Sequence, residues 1–136
     1  MLPPTVSVIM ITYGHEKYIK EAIEGVLIQE CDFEVELIIA DDCSPDNTET
    51  IVNQLKNKNN NGNRINYTKH NLNKGASSNF ISAVQQAKGK YIAMCEGDDY
   101  WTDPLKLQKQ VAFLEDNTDY SMCFHNAKRV NLITDE

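Results

Sequence analysis

Apolar positions along the chain fall into short runs that alternate between two periods. "TVSVIMITY", Thr5 to Tyr13, is β-branched, nearly all apolar and preceded by two prolines. Such a run predicts a strand buried on both faces. In "HEKYIKEAIEGVLIQ", Ile19, Ala22, Ile23, Val26 and Leu27 recur at helical spacing, with Lys and Glu on the other side. "FEVELIIA" predicts a second strand ending at Asp41 and Asp42. "SPDNTETIVNQLKNK" carries helix-start chemistry: Ser44 as a cap, Pro45 at the first helical position, Asp46 at the positive end of the dipole. The polar tract 56–64, "KNKNNNGNR", ends that helix and opens a loop. "INYTKH" predicts a short third strand, "GASSNFISAVQQAKG" a helix with serine caps and a closing Gly89, and "KYIAMCE" a fourth strand. Asp103 and Pro104 repeat the cap-plus-proline signal before a helix marked by Leu107, Val111 and Leu114. "YSMCFHNAKRV" predicts a fifth strand.

Strict alternation of strand and helix predicts an α/β fold. It is a doubly wound, mainly parallel sheet with helices on both faces. A chain of 136 residues has room for one domain, 1–136, and shows no internal repeat or linker. The composition, 41% hydrophobic and 24% charged, is that of a globular protein. A net charge of −7 argues against nucleic-acid binding by phosphate neutralisation. No apolar run reaches the length of a transmembrane helix, and "MLPPTVSVIM" lacks the basic n-region of a signal peptide. The four cysteines, Cys31, Cys43, Cys95 and Cys123, form no CxxC pair; Cys95 and Cys123 fall in strand-like runs. Buried, reduced thiols of a cytoplasmic protein are the expectation.

Ligands of open α/β sheets bind outside the carboxyl ends of the strands. Polar residues collect there from four segments. Thr12, Tyr13, His15 and Glu16 follow the first strand, Asp41, Asp42 and Ser44 the second, Asn71, Asn73 and Lys74 the third, and Glu96, Asp98 and Asp99 the fourth. The last three acids, in "CEGDDYWTDP", lie within four positions. Two like charges about 4 Å apart repel by roughly 4 kcal/mol at an effective dielectric near 20. Such a cluster binds a proton or a cation. Hard oxygen donors without Cys or paired His suit Mg²⁺ or Mn²⁺, and a divalent ion lets an acidic pocket accept a diphosphate. The turn "TYGHEKY" has one glycine, so it is no G-x-G-x-x-G cradle, and no P-loop motif occurs. Asp42 is placed to accept a hydrogen bond from a ribose or a base N–H, or else to cap the following helix. Tyr13 is placed to pack on a base.

These segments together resemble the N-terminal, nucleotide-sugar-binding half of a family 2 glycosyltransferase with the type-A glycosyltransferase (GT-A) fold. The resemblance runs from Val6 to Arg129. It rests on "VSVIMITYGHEKYIKEAI", "ELIIADDCSPDNT", "NLNKG" with "AKGKYIAMCEGDD", and "YWTDPLKLQKQ". "EGDDYWTDPLKLQKQ" further resembles a bacterial subgroup of that family. The resemblance implies that Thr12 and Tyr13 contact the nucleobase and that Asp42 reads uracil. It implies that Glu96, Gly97 and Asp98 occupy the D-x-D signature, with Glu96 toward ribose and the divalent cation, Mn²⁺ or Mg²⁺, on Asp98, Asp99 or both. Glu96 departs from the usual first aspartate. Phe80 and Ile81 stand where many members carry Arg-Asn, so a phosphate-side contact falls to Lys74 or Asn79 or is missing.

The function so implied is transfer of a sugar, with inversion, from a nucleotide-diphospho-sugar, a UDP-sugar by expectation, to a saccharide or lipid-linked acceptor. The general base is expected beyond Glu136, in a longer chain of which this is a fragment. Peripheral association with the cytoplasmic face of the inner membrane would come through that part. The alternative is a non-catalytic nucleotide-binding module. A receiver-like signalling domain would need its acid pair after the first strand, which this chain lacks. Among the other polar residues, His125 is expected as a hydrogen-bonded core histidine and His15 as a surface residue. Lys106 and Lys109 are expected on a solvated helix face. Trp101 either shapes a sugar pocket or packs onto the core.

Overall fold

The computed structural model describes residues 3–130. The elements are β1 (Val6–Thr12), α1 (Ile19–Leu27), β2 (Val35–Asp41), α2 (Thr48–Lys58), β3 (Ile65–Lys69), α3 (Ala76–Val84), β4 (Tyr91–Met94) and α4 (Lys106–Asp116). The strands form one sheet in the order β3-β2-β1-β4, and every pair is parallel. The chain winds from β1 to β2 and β3 on one side, then returns to place β4 on the other. The order therefore reverses at β1, and the crevice between the carboxyl ends of β1 and β4 is the topological switch point.

The pleat of β1 divides its apolar residues between two cores. Val6, Val8 and Met10 join Val35, Leu37 and Ile39 under α1, with Val52 of α2 and Leu107 of α4. Ile9, Ile38 and Ala40 pack on the other face against Ala83 and Phe80 of α3. Helices thus cover both faces, and both central strands, β1 and β2, are buried nearly throughout.

At the amino end of the sheet, the Ser7 hydroxyl donates to Glu36 Oε1 (2.6 Å) and accepts from Gly89 N (2.8 Å). Gly89 does not close a helix, since α3 ends at Val84. It is needed for close approach, because a Cβ there would lie 2.5 Å from Ser7 N.

Several local expectations are corrected. Residues 121–130 form no strand, and Phe124 is 90% exposed. A strand needs a ladder partner for its backbone groups, and this segment pairs with no strand among the described residues. His125 is consequently exposed rather than core, and its Nδ1 lies 2.8 Å from Asn126 O. Helix α2 starts at Thr48, later than Ser44 and Pro45 suggest. Its first turn is held by Asp46, whose Oδ1 accepts from Thr48 N and Thr48 Oγ1. The serines of α3 cap nothing; Gly75, at φ 84°, stands at its N-cap. Of the cysteines, all free, only Cys95 is buried, and it follows β4 rather than lying in it.

Candidate functional site

The carboxyl ends of β1 and β2 are tied by two loops that hydrogen-bond each other. Gly14, at φ 69°, makes the turn after β1, and its N–H donates to Ser44 Oγ (3.0 Å). Glu16 N donates to Asp46 Oδ2 (3.0 Å), and Asn47 N donates back to Glu16 Oε2 (3.0 Å). Burial alone would raise the Asp46 pKa. The Thr48 hydroxyl and the backbone N–H groups of Glu16 and Thr48 outweigh it and hold the carboxyl below its ordinary value. Glu16, expected on the nucleotide, is thus engaged in a loop-to-loop clamp. Cys43 has φ 67°, an uncommon conformation for a residue with a Cβ. It lets the chain turn back so that Ser44 N donates to Asp41 Oδ1 (2.7 Å).

Asp41 is fully buried, and its other oxygen accepts from Tyr67 Oη (2.7 Å). Burial and this carboxylate both push the Tyr67 phenol up. Asp41 was expected on the nucleotide; its two oxygens instead face the interior, because β2 ends with its side chain turned toward β3. Asn79 is corrected likewise. It is buried, its amide donates to Ala40 O (2.8 Å), and its Oδ1 lies 3.0 Å from His70 Nε2.

Asp42 does not cap α2. Its Oδ1 accepts from Lys74 N (2.7 Å) and its Oδ2 from Gly75 N (2.8 Å), so it fastens the loop that opens α3. Lys74 itself is exposed, and its ammonium has no carboxylate partner among the described residues. Tyr13, directly after β1, is 50% exposed.

Across the switch point, Gly97 N donates to Ile11 O (3.0 Å) and brings the acidic turn onto β1. A Cβ at 97 would lie 2.7 Å from Thr12 Oγ1 and 2.8 Å from His15 Nδ1, so only glycine permits this approach. Asp99 N donates to Glu96 O and closes the turn. Beneath it, the buried Cys95 thiol lies 3.6 Å from Asp99 O. Burial, with the Asp99 charge next in size, pushes that thiol up to about 12, so it stays protonated. The carboxylates of Glu96, Asp98 and Asp99 are exposed and accept no hydrogen bond from any described residue. His15 Nε2 lies 4.0 Å from Asp98 Oδ2.

Trp101 is buried in the main core, which settles its two readings in favour of packing. Lys106 is corrected: it is half-buried, 4.0 Å from the centre of the Trp101 ring, and burial lowers its pKa. Lys109 is exposed and pairs with Asp103 (2.7 Å). Sequence reasoning missed three contributors to the site: Gly97 as a contact residue, His15 beside Asp98, and the Asp46 clamp. A glycine between two carboxylates was the one available signal.

Among the described residues, no three His, Cys, Asp or Glu side chains already converge as a metal cage. The donors still fit a small hard cation. Mg²⁺-type ions bind through one or two carboxylates and complete their shell with water and substrate phosphates. Exposed carboxylates with no competing protein donor suit that arrangement.

Known proteins share this architecture. A glucosyltransferase of Escherichia coli, WfaP, named UDP-Glc:alpha-D-GlcNAc-diphosphoundecaprenol beta-1,3-glucosyltransferase, is 37% identical over 110 residues, covering 81% of this chain and 41% of its own. The crystal structure of S. aureus TarS 1-349 in complex with UDP superposes with a TM-score of 0.72 at 32% identity, covering 84% of this chain and 33% of that one. The mannosyltransferase PcManGT of Pyrobaculum calidifontis, in complex with GDP-Man and Mn²⁺, gives a TM-score of 0.74 at 22% identity, with 87% and 34% covered. That likeness bears on the fold alone. The chain spans about a third to a half of the length of the curated relatives it matches, from 34% to 53%. The family model for glycosyl transferase family 2 matches residues 7–132, and the chain belongs to that family.

Proposed function

We propose that this domain binds a uridine diphosphate sugar together with a divalent cation, Mn²⁺ or Mg²⁺. In the whole protein it would present that donor for inverting transfer to a saccharide or lipid-linked acceptor. One observation carries the reading. Three exposed carboxylates without protein partners sit at the switch point, on the same sheet edge as Tyr13, Asp42 and the Lys74 loop. UDP in the TarS structure, a 32% identical relative, supports the choice of nucleotide.

The roles follow from exposure. Tyr13 stacks on the base, and Thr12 and Asp42 shape the pocket edge beneath it. Lys74 is the free ammonium for a phosphate. Glu96 faces the ribose, and Asp98 with Asp99 holds the cation, which when bound supplies Lewis-acid stabilisation of the leaving diphosphate. No carboxylate among the described residues stands out as the base for an acceptor hydroxyl, and we assign that group to the remainder of the protein. A place at the cytoplasmic face of a membrane belongs to the same proposal; no helix among the described residues is long and apolar enough to cross one.

Calorimetry tests the metal-dependent site. UDP should bind in the presence of Mn²⁺, and weakly or not at all in EDTA. Asp98→Asn should lose most of the metal-dependent increment. Equal UDP affinity in Mn²⁺ and EDTA would remove the metal role.

A further inference from the structure

We propose that His15 is a positioning residue for Asp98, an inference that rests on the metal-dependent nucleotide site above. The imidazole lies between the end of β1 and the acidic turn. Its Nδ1 is 3.1 Å from Thr12 Oγ1, and its Nε2 is 4.0 Å from Asp98 Oδ2.

The hydroxyl of Thr12 fixes the tautomer. Thr12 is 2% exposed, and its hydroxyl donates to nothing else among the described residues. If Nδ1 carried the proton, the Thr12 hydroxyl hydrogen would be buried without an acceptor, a loss of about 1–3 kcal/mol. With the proton on Nε2, the hydroxyl donates to Nδ1 and both groups are satisfied. Nε2–H is then a donor facing Asp98.

The ring is also held in place. The Gly97 backbone packs so close to Nδ1 that a Cβ there would stand 2.8 Å away. The His15 carbonyl accepts from Tyr18 N and Ile19 N, both at 2.9 Å, which anchors its backbone to the start of α1. Asp98 has no such restraint: it is exposed and unbonded. A gap of 4.0 Å exceeds a hydrogen bond, so the role requires the exposed Asp98 side chain to turn toward Nε2 when the cation binds. The carboxylate would then accept from His15 through one oxygen and leave the other for the cation. Ligating carboxylates are commonly oriented by such a hydrogen bond, and loss of the partner weakens metal binding about 10- to 100-fold.

Two side chains separate this role from a merely structural one. Asn at position 15 reproduces Nδ1 and keeps an acceptor for Thr12, but does not reach Asp98. Gln places its amide near Nε2 and does reach. UDP affinity is measured by calorimetry with Mn²⁺ and with EDTA, for wild type, His15→Asn and His15→Gln, with thermal unfolding as the folding control. The expected result is a metal-dependent increment cut about tenfold in His15→Asn and largely restored in His15→Gln, with EDTA affinities alike, the melting temperature of His15→Asn near wild type and that of His15→Gln lower, because Gln leaves the buried Thr12 hydroxyl without its acceptor. An increment retained in His15→Asn overturns this inference alone. Equal loss in both variants, or loss that appears equally in EDTA, overturns it in favour of a structural or direct ligand contact. Absence of any increment in the wild type overturns the metal-dependent site, and this inference with it.

Discussion

Asp42 joins two strand ends through a single carboxylate. Its pair of backbone hydrogen bonds to Lys74 and Gly75 holds a loop that offers an exposed ammonium, Lys74, at the same sheet edge. Asp42→Asn leaves one oxygen and sets an NH₂ group against a backbone N–H. Loss of a hydrogen bond to a charged group costs about 1.5–3 kcal/mol. The unfolding free energy from urea denaturation should fall by a matching amount, lowering the midpoint, and UDP affinity should fall with it, because Lys74 is released. An unchanged midpoint would mean that the loop is held by something else. The sequence placed Asp42 at a strand end and left open whether it bonds a ligand or caps a helix. The structure shows a third role, a long-range bond over 32 and 33 positions to residues that no local pattern points to.

At the level of elements, all four parallel strands and all four helices were legible. Each buries a stripe whose period is written in the chain. The failure at 120–130 has a physical cause. "YSMCFHNAKRV" has strand-like residues, but strand propensity describes fit to a half-buried pleated surface, and no sheet edge receives this segment. Helix starts were misplaced for a related reason: Ser44 has the chemistry of a cap, yet its hydroxyl is taken by Gly14 of another loop.

The packing of α1 on the "YWTDP" segment was equally invisible. Gly25 lies inside α1, where glycine is about 0.8–1.0 kcal/mol worse than alanine. A Cβ at 25 would meet Trp101 O at 2.8 Å and Trp101 N at 2.9 Å, both backbone atoms that cannot rotate away. Overpacking of this kind costs about 1–3 kcal/mol. Gly25→Ala should therefore destabilise the protein despite the gain in helix propensity. Chemical denaturation that finds the variant more stable than wild type would show that the 101–103 segment shifts without cost. Gln29 argues against such freedom: its amide donates to Asp103 O (2.8 Å) and its Oε1 accepts from Leu107 N (3.0 Å).

On the scale of the whole molecule, the site gathers loops from both sides of the switch point, and they are joined only at the carboxyl edge of the sheet. A protein of net charge −7 with three exposed acids in its site repels a bare diphosphate. Screening by salt weakens that repulsion but supplies no attraction. A divalent cation reverses the local sign, so UDP and Mn²⁺ together should stabilise the fold where UDP alone does not. A ligand that binds only the native state at 100 times its Kd contributes about 2.7 kcal/mol. For a domain of this size that corresponds to a rise in Tm of roughly 5–10 °C. Differential scanning fluorimetry with UDP, Mn²⁺, both and neither reads the effect directly. The rise with both ligands should exceed the sum of the separate rises, and Asp98→Asn should reduce it to that sum. Equal rises with UDP in Mn²⁺ and in EDTA would show that the acidic turn plays no part in holding the nucleotide. A rise with Mn²⁺ alone as large as with both would place the cation on the protein independently of the diphosphate.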